Sequence, residues 1–153
     1  MRSRHISCLL WIVLLAPMLM DAESARYSEL RSIVHRNAGY AHMTRGVNMY
    51  TLYALRSCVS ERDIGTLSEM LGDKDDITRM AAAAVLVDLG GTGKQAVHTR
   101  IARVADMSER MMLQESLEDA SKPDYRPILQ YPLSDSERIR VRGCHSKDAQ
   151  QKR

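Results

Sequence analysis

From Arg26 to Ala120 apolar residues recur at spacings of three and four, the mark of helices that turn one face to a core. The stretch DIGTLSEML, Asp63 to Leu71, sets Ile64, Leu67, Met70 and Leu71 on one stripe. GDKDD follows, with Gly72 as a helix stop and Asp76 as the expected N-cap, whose carboxylate accepts an orphan backbone N–H of the next turn. A second helix is expected over Ile77 to Leu89. It is apolar almost all round at Ala81 to Ala84, and alanine joins high helix propensity to a small radius, so this helix belongs between other helices. A strand over Val85 to Leu89 is the competing reading, and it leaves the alanine run without a purpose.

The pattern then repeats. RMAAAAVLVDL, from Arg79, and RMMLQESLEDA, from Arg110, share Arg, Met, Leu and Asp at positions 31 residues apart. Asp75 and Asp106 keep the same step, and Met49 with Met80, Leu55 with Leu86 and Ile33 with Ile64 carry it backwards. Three units of two short helices result, spanning 26–121, and a fixed period of this length is the signature of stacked repeats.

The middle unit, LSEMLGDKDDITRMAAAAVLVDLG, resembles a HEAT repeat of the short bacterial type also found in phycobilisome-lyase-like proteins. Leu67, Met70 and Leu71 carry the resemblance on the first helix. Asp73 and Asp75 carry it in the turn, and Ile77, Arg79, Ala82, Ala83, Leu86, Leu89 and Gly90 on the second helix. The match is strong for Leu67 to Gly90, fair for Gly91 to Ser121 and weak for Arg26 to Cys58, where Asn48 stands in the arginine position. A weak first unit suits a cap, because terminal repeats are atypical. The resemblance implies an all-α fold, a short right-handed array of about three HEAT-like hairpins. It also implies that Asp75, Arg79, Asp106 and Arg110 help neighbouring repeats stack. The i, i+4 spacing of Asp75 with Arg79, and of Asp106 with Arg110, also permits contact within one helix start.

Pro123, Pro127 and Pro132 forbid a continuous helix after the last unit. Lys122 to Leu133 is therefore expected as an extended C-terminal strap, laid against the last repeat through Tyr125, Ile128, Leu129 and Tyr131. Ser134 to Arg142 is open between a further helical turn and a short strand, and the polar residues beyond Gly143 are expected to be disordered.

VLVDLGGTGKQAV, Val85 to Val97, has the look of a strand, a glycine-rich phosphate loop and a helix. A Walker loop ending at Gly93-Lys94 needs glycine at position 88 and a hydroxyl at position 95, and the chain has Asp88 and Gln95 there. The stretch is read instead as a helix end at Gly90, with Gly91 to Gly93 turning the chain into the third hairpin.

The N-terminus has a different character. Arg2 and Arg4, the apolar run Ile6 to Leu15, Pro17 and the small residues near Ala22 and Ala25 follow the order of a secretory signal peptide, 1–25. An uncleaved anchor is the alternative, because both cleavage positions depart from the small-x-small rule. Removal of the signal implies a periplasmic or secreted protein with no membrane association of its own. The full chain carries a formal net charge of +3. The charge is uneven: Arg26 to Ser121 holds 12 basic and 13 acidic side chains, whereas 122–153 holds 8 and 4. A near-neutral domain argues against a nucleic-acid surface, which needs clustered Lys and Arg. Cys58 and Cys144 remain after processing, and a disulfide between them, two thiols or an inter-chain bond are all open.

No set of acid, base and nucleophile converges in the sequence, so no catalysis and no cofactor are expected. His35 and His42, seven apart with Gly39 between them, lack the spacing of metal ligands. Tyr50 and Tyr53 lie one turn apart on one face, and Met111 and Met112 belong to a methionine cluster. These four are the candidate protein-binding residues, since tyrosine and flexible thioethers both suit contact surfaces. The expected function is that of an exported protein-interaction module whose partner is another protein, with a homodimer also open. A periplasmic inhibitor or immunity protein that blocks a toxin or cell-wall enzyme is the alternative.

Overall fold

A computed structural model of the chain describes residues 23–38 and 47–141, and these are all-helical, with no strand among them. The helices are α1 over 23–38, α2 Met49–Cys58, α3 Ile64–Met70, α4 Asp76–Asp88, α5 Gly91–Arg103, α6 Met107–Asp119 and α7 Asp135–Arg140. Single 3-10 turns precede α3 at Glu61–Asp63 and lie in the C-terminal segment at Ile128–Gln130. The boundary drawn at Ala25 falls inside the first turn of α1. The apolar run Ile6 to Leu15, His42, Cys144 and His145 lie outside the described residues.

The 31-residue step is visible in α4 and α6. Both helices have 13 residues, both begin after an aspartate whose carboxylate accepts a backbone N–H of the first turn, and both end in a residue of helical conformation. The cap of α4 is Asp75, which accepts from Thr78 N at 2.7 Å and from its hydroxyl at 2.7 Å. Asp76, the cap expected from the sequence, is the first helical residue. Such a carboxylate contributes about 1 kcal/mol to its helix. The weak match of the first unit has a geometric cause. Asn48, at the arginine position, caps α2 by accepting from Thr51 N at 2.8 Å, so α2 starts one turn late in the pattern. Its amide also donates to Asn37 O at 3.1 Å, which ties α2 to the end of α1.

Helix α4 is the centre of the molecule, with Ala81, Ala82, Ala83, Val85, Leu86 and Val87 buried. It packs on α2 and α6 on its flanks and on α3 and α5 behind, while α3 and α5 also touch each other. The result is two layers: α2, α4 and α6 form one, the second-helix layer, and α3 and α5 lie in the other. Helix α1 is tied to the turns around it. Arg26 bonds Asp63 at 2.7 Å and Cys58 O at 2.7 Å, and Asp73 receives Tyr27 Oη at 2.6 Å and Arg31 Nε at 2.8 Å. Burial alone would raise the Asp73 carboxyl. The Tyr27 hydroxyl, the Asp75 amide and Arg31 outweigh it and bring the group down to about 2.

The glycine-rich stretch differs from its expectation. Gly90 alone carries the turn, at φ 80° and ψ −149°, a backbone region in effect reserved for glycine. Gly91 to Gly93 do not turn the chain, because they form the first turn of α5. A β-carbon on Gly93 would stand 2.0 Å from the Leu86 carbonyl oxygen, so this glycine lets α5 rest directly on the backbone of α4.

The C-terminal segment also departs from expectation. It does not lie simply along the last hairpin but crosses back over the second-helix layer to α2, where the turn at Ile128–Gln130 packs. Ile128 and Leu133 are buried, while Leu129 and Tyr131, expected as anchors, are exposed. Periodicity reports which residues share a face and says nothing about where a proline-broken segment travels. Within Ser134 to Arg142, Asp135–Arg140 forms the helix α7, whose start is fixed by reciprocal bonds between Ser134 and Glu137, and Arg142 lies outside the described residues.

Candidate functional site

Two surfaces of the second-helix layer combine apolar side chains with specific polar groups. The first is the outer face of α6. Met107 is 68% and Met111 62% exposed, one turn apart, and the same stripe continues through Glu115 and Glu118, both exposed. The stripe is apolar at its N-terminal end and acidic further on. Beside it, a groove of about 300 Å³ opens between the N-terminal ends of α4 and α6, with Met80 and Met112 inside and Asp76, Asp106 and Glu109 around it. Glu109 is held by Arg100 at 2.7 Å. Met111 therefore stands on the open face and Met112 faces the groove.

The second surface lies where the C-terminal segment crosses α2 and α4. The Asp88 carboxylate, its side chain 2% exposed, accepts Arg56 Nε on Oδ2 at 2.6 Å. On Oδ1 it accepts the Tyr125 hydroxyl and the Ile128 backbone N–H, each at 2.8 Å. Burial, followed by the bond to Asp88, pushes the Tyr125 phenol up from its ordinary value and keeps it a donor. Further along, Tyr50 donates to Glu137 at 2.7 Å, and the Arg138 guanidinium donates to the Tyr53 hydroxyl at 3.1 Å while standing 5.9 Å from its ring centre. Tyr50 and Tyr53 are thus half-buried and engaged with α7 of the same chain.

The repeat aspartates and arginines divide their work. Asp75 and Asp106 cap α4 and α6. Arg79 reaches back to Asp73 O and Arg110 to Val104 O, each six residues behind and each at 2.7 Å, so both arginines tie off the turn that precedes their helix. Arg79 also pairs with Asp76. Arg56 with Asp88 and Arg31 with Asp73 also bond between units, beside the contact of Asp75 with His35 of the first unit. The i, i+4 contact that the spacing allowed is replaced by this arrangement, because a cap points its carboxylate into the helix start and away from the next turn. His35 stands 3.7 Å from Asp75, and Cys58 is half-buried at the end of α2.

Asp88 is the polar centre that sequence reasoning missed, and Asp73, read there as a turn residue of the repeat, is a second. A signal existed for Asp88: a carboxylate inside the apolar run VLVDL requires buried partners. Comparison with protein-family models, with curated proteins and with solved structures finds no match to this chain.

Proposed function

We propose that the chain is an exported protein-interaction module, a short right-handed array of three HEAT-like hairpins without catalysis of its own. The shared register of α4 and α6, their two equivalent aspartate caps and the two arginines bonded to equivalent turn carbonyls support the repeat. The arginine-rich start and apolar run at the N-terminus support export. One observation carries the function: Met107 and Met111 are exposed on the last helix of the layer, next to the groove holding Met80 and Met112. Thioethers adapt to varied partner shapes, and Glu115 and Glu118 continue the stripe with negative charge. The partner that fits is a protein segment with apolar side chains followed by lysine or arginine.

The test is site-specific photo-crosslinking in the native cell. A photoreactive amino acid replaces Met111 in one strain and Gln95, exposed on α5, in another. The expected result is a discrete adduct with one protein from position 111 and none from position 95, lost when Glu115 and Glu118 are changed to lysine. No adduct from position 111, or equal adducts from both positions, contradicts the proposal.

A further inference from the structure

The C-terminal segment meets the layer beneath it as a ligand meets a receptor. One buried carboxylate, Asp88, reads a main-chain N–H at Ile128 and a hydroxyl at Tyr125, while Arg56 fixes its other oxygen. Ile128 is 4% exposed and supplies the apolar anchor. Main-chain recognition joined to a pocketed side chain is how a groove holds an extended segment. Pro123, Pro127 and Pro132 keep the segment from forming a continuous helix, and it is extended at Pro127, at φ −53° and ψ 142°, before the single turn at Ile128–Gln130.

An open surface pocket of about 180 Å³ runs beside the strap between α2, α4 and α6, with Tyr125 and Ile128 of the strap on its wall. Leu129 and Tyr131 leave their apolar surface outside.

We infer that the face of α2 and α4 around Asp88 is a groove for a proline-flanked peptide that turns at an aliphatic side chain three residues after a tyrosine, and that Lys122 to Leu133 occupies it as the chain's own ligand. The inference rests on the reading of the chain as a protein-binding module, but it concerns a face separate from the α6 stripe. A tethered occupant acts at an effective concentration of about 1 mM, so a free peptide with an intrinsic Kd of about 10 μM is held off roughly 100-fold.

The experiment uses the full-length chain and a fluorescent peptide of the sequence 122–133, followed by anisotropy. The wild-type chain is compared with full-length Tyr125→Phe/Ile128→Ala, which loosens the resident segment and leaves Asp88 in place. The expected result is binding to the variant at least 10-fold tighter than to the wild type. A peptide carrying Tyr125→Phe binds the variant more weakly than the unaltered peptide by at least 3-fold. Equal binding to both chains, or no binding to the variant at 1 mM peptide, overturns the inference. Denaturant unfolding is recorded on both chains, and a variant without a cooperative transition also overturns it, since the strap is then an integral part of the core. Crosslinking from Met111 is read on the other face, so its success or failure is scored independently.

Discussion

The carboxylate of Asp88 gathers three donors in a setting almost closed to solvent. Its counterpart 31 residues later, Asp119, is exposed and pairs with the equally exposed Lys122. The two aspartates separate what burial does to the same chemical group. Replacing Asp88 with alanine strands the Tyr125 hydroxyl, the Ile128 N–H and the Arg56 guanidinium, and is expected to cost about 3 kcal/mol. Asp119→Ala is expected to leave the unfolding midpoint unchanged, because exposed pairs are screened and flexible. Denaturant titration of both variants checks this, and equal losses would show that Asp88 is not the node described. The repeat pattern treats the two positions as equivalent, which is why the role of Asp88 was illegible at that level. Its partners come from 32 residues before and 37 and 40 residues after, and no local pattern encodes such distances.

At the scale of the element, apolar spacing was enough to place α3 and α4, and Gly72 and the aspartates after it marked the break between them to within one residue. Helix α5 was harder to see. Its first turn is GTGK, and two glycines read locally as a hinge because they weaken a helix. The structure uses them differently, since Gly93 yields to the Leu86 carbonyl and permits close packing that a propensity argument does not register. Gly65, in α3, has nothing within 4 Å of the position a β-carbon would take. Alanine at Gly93 is therefore expected to destabilise the fold by about 3 kcal/mol through overpacking. Alanine at Gly65 is expected to stabilise it by about 0.5 kcal/mol by reducing the freedom of the unfolded chain. Thermal unfolding of the pair reads out the difference, and a harmless Gly93→Ala would mean that α5 does not sit on α4 as described.

For the whole molecule, the two-layer arrangement follows from α4, whose small and apolar side chains admit neighbours on most sides. The helical class was legible because apolar periodicity is a local property with a fixed period. The path of the C-terminal segment was not, because prolines report only where a helix must stop. That path gives the tyrosines of α2 their occupation: Tyr50 and Tyr53 hold Glu137 and Arg138, while Met107 and Met111 of α6 stay exposed. Of the candidate residues, Tyr50 and Tyr53 hold α7, Met112 faces the groove between α4 and α6, and Met111 faces outward.

The central claim is that the second-helix layer is a binding face on which the chain's own C-terminal segment is seated through Asp88. Amide hydrogen exchange at Ile128, followed residue by residue in the full-length protein, tests this most directly. The account predicts exchange at least about 100-fold slower than in an unstructured chain, with the protection lost in Asp88→Ala while the amides of Val85 and Leu86 stay protected. Exchange of the Ile128 amide at the unstructured rate in the unaltered protein would contradict it.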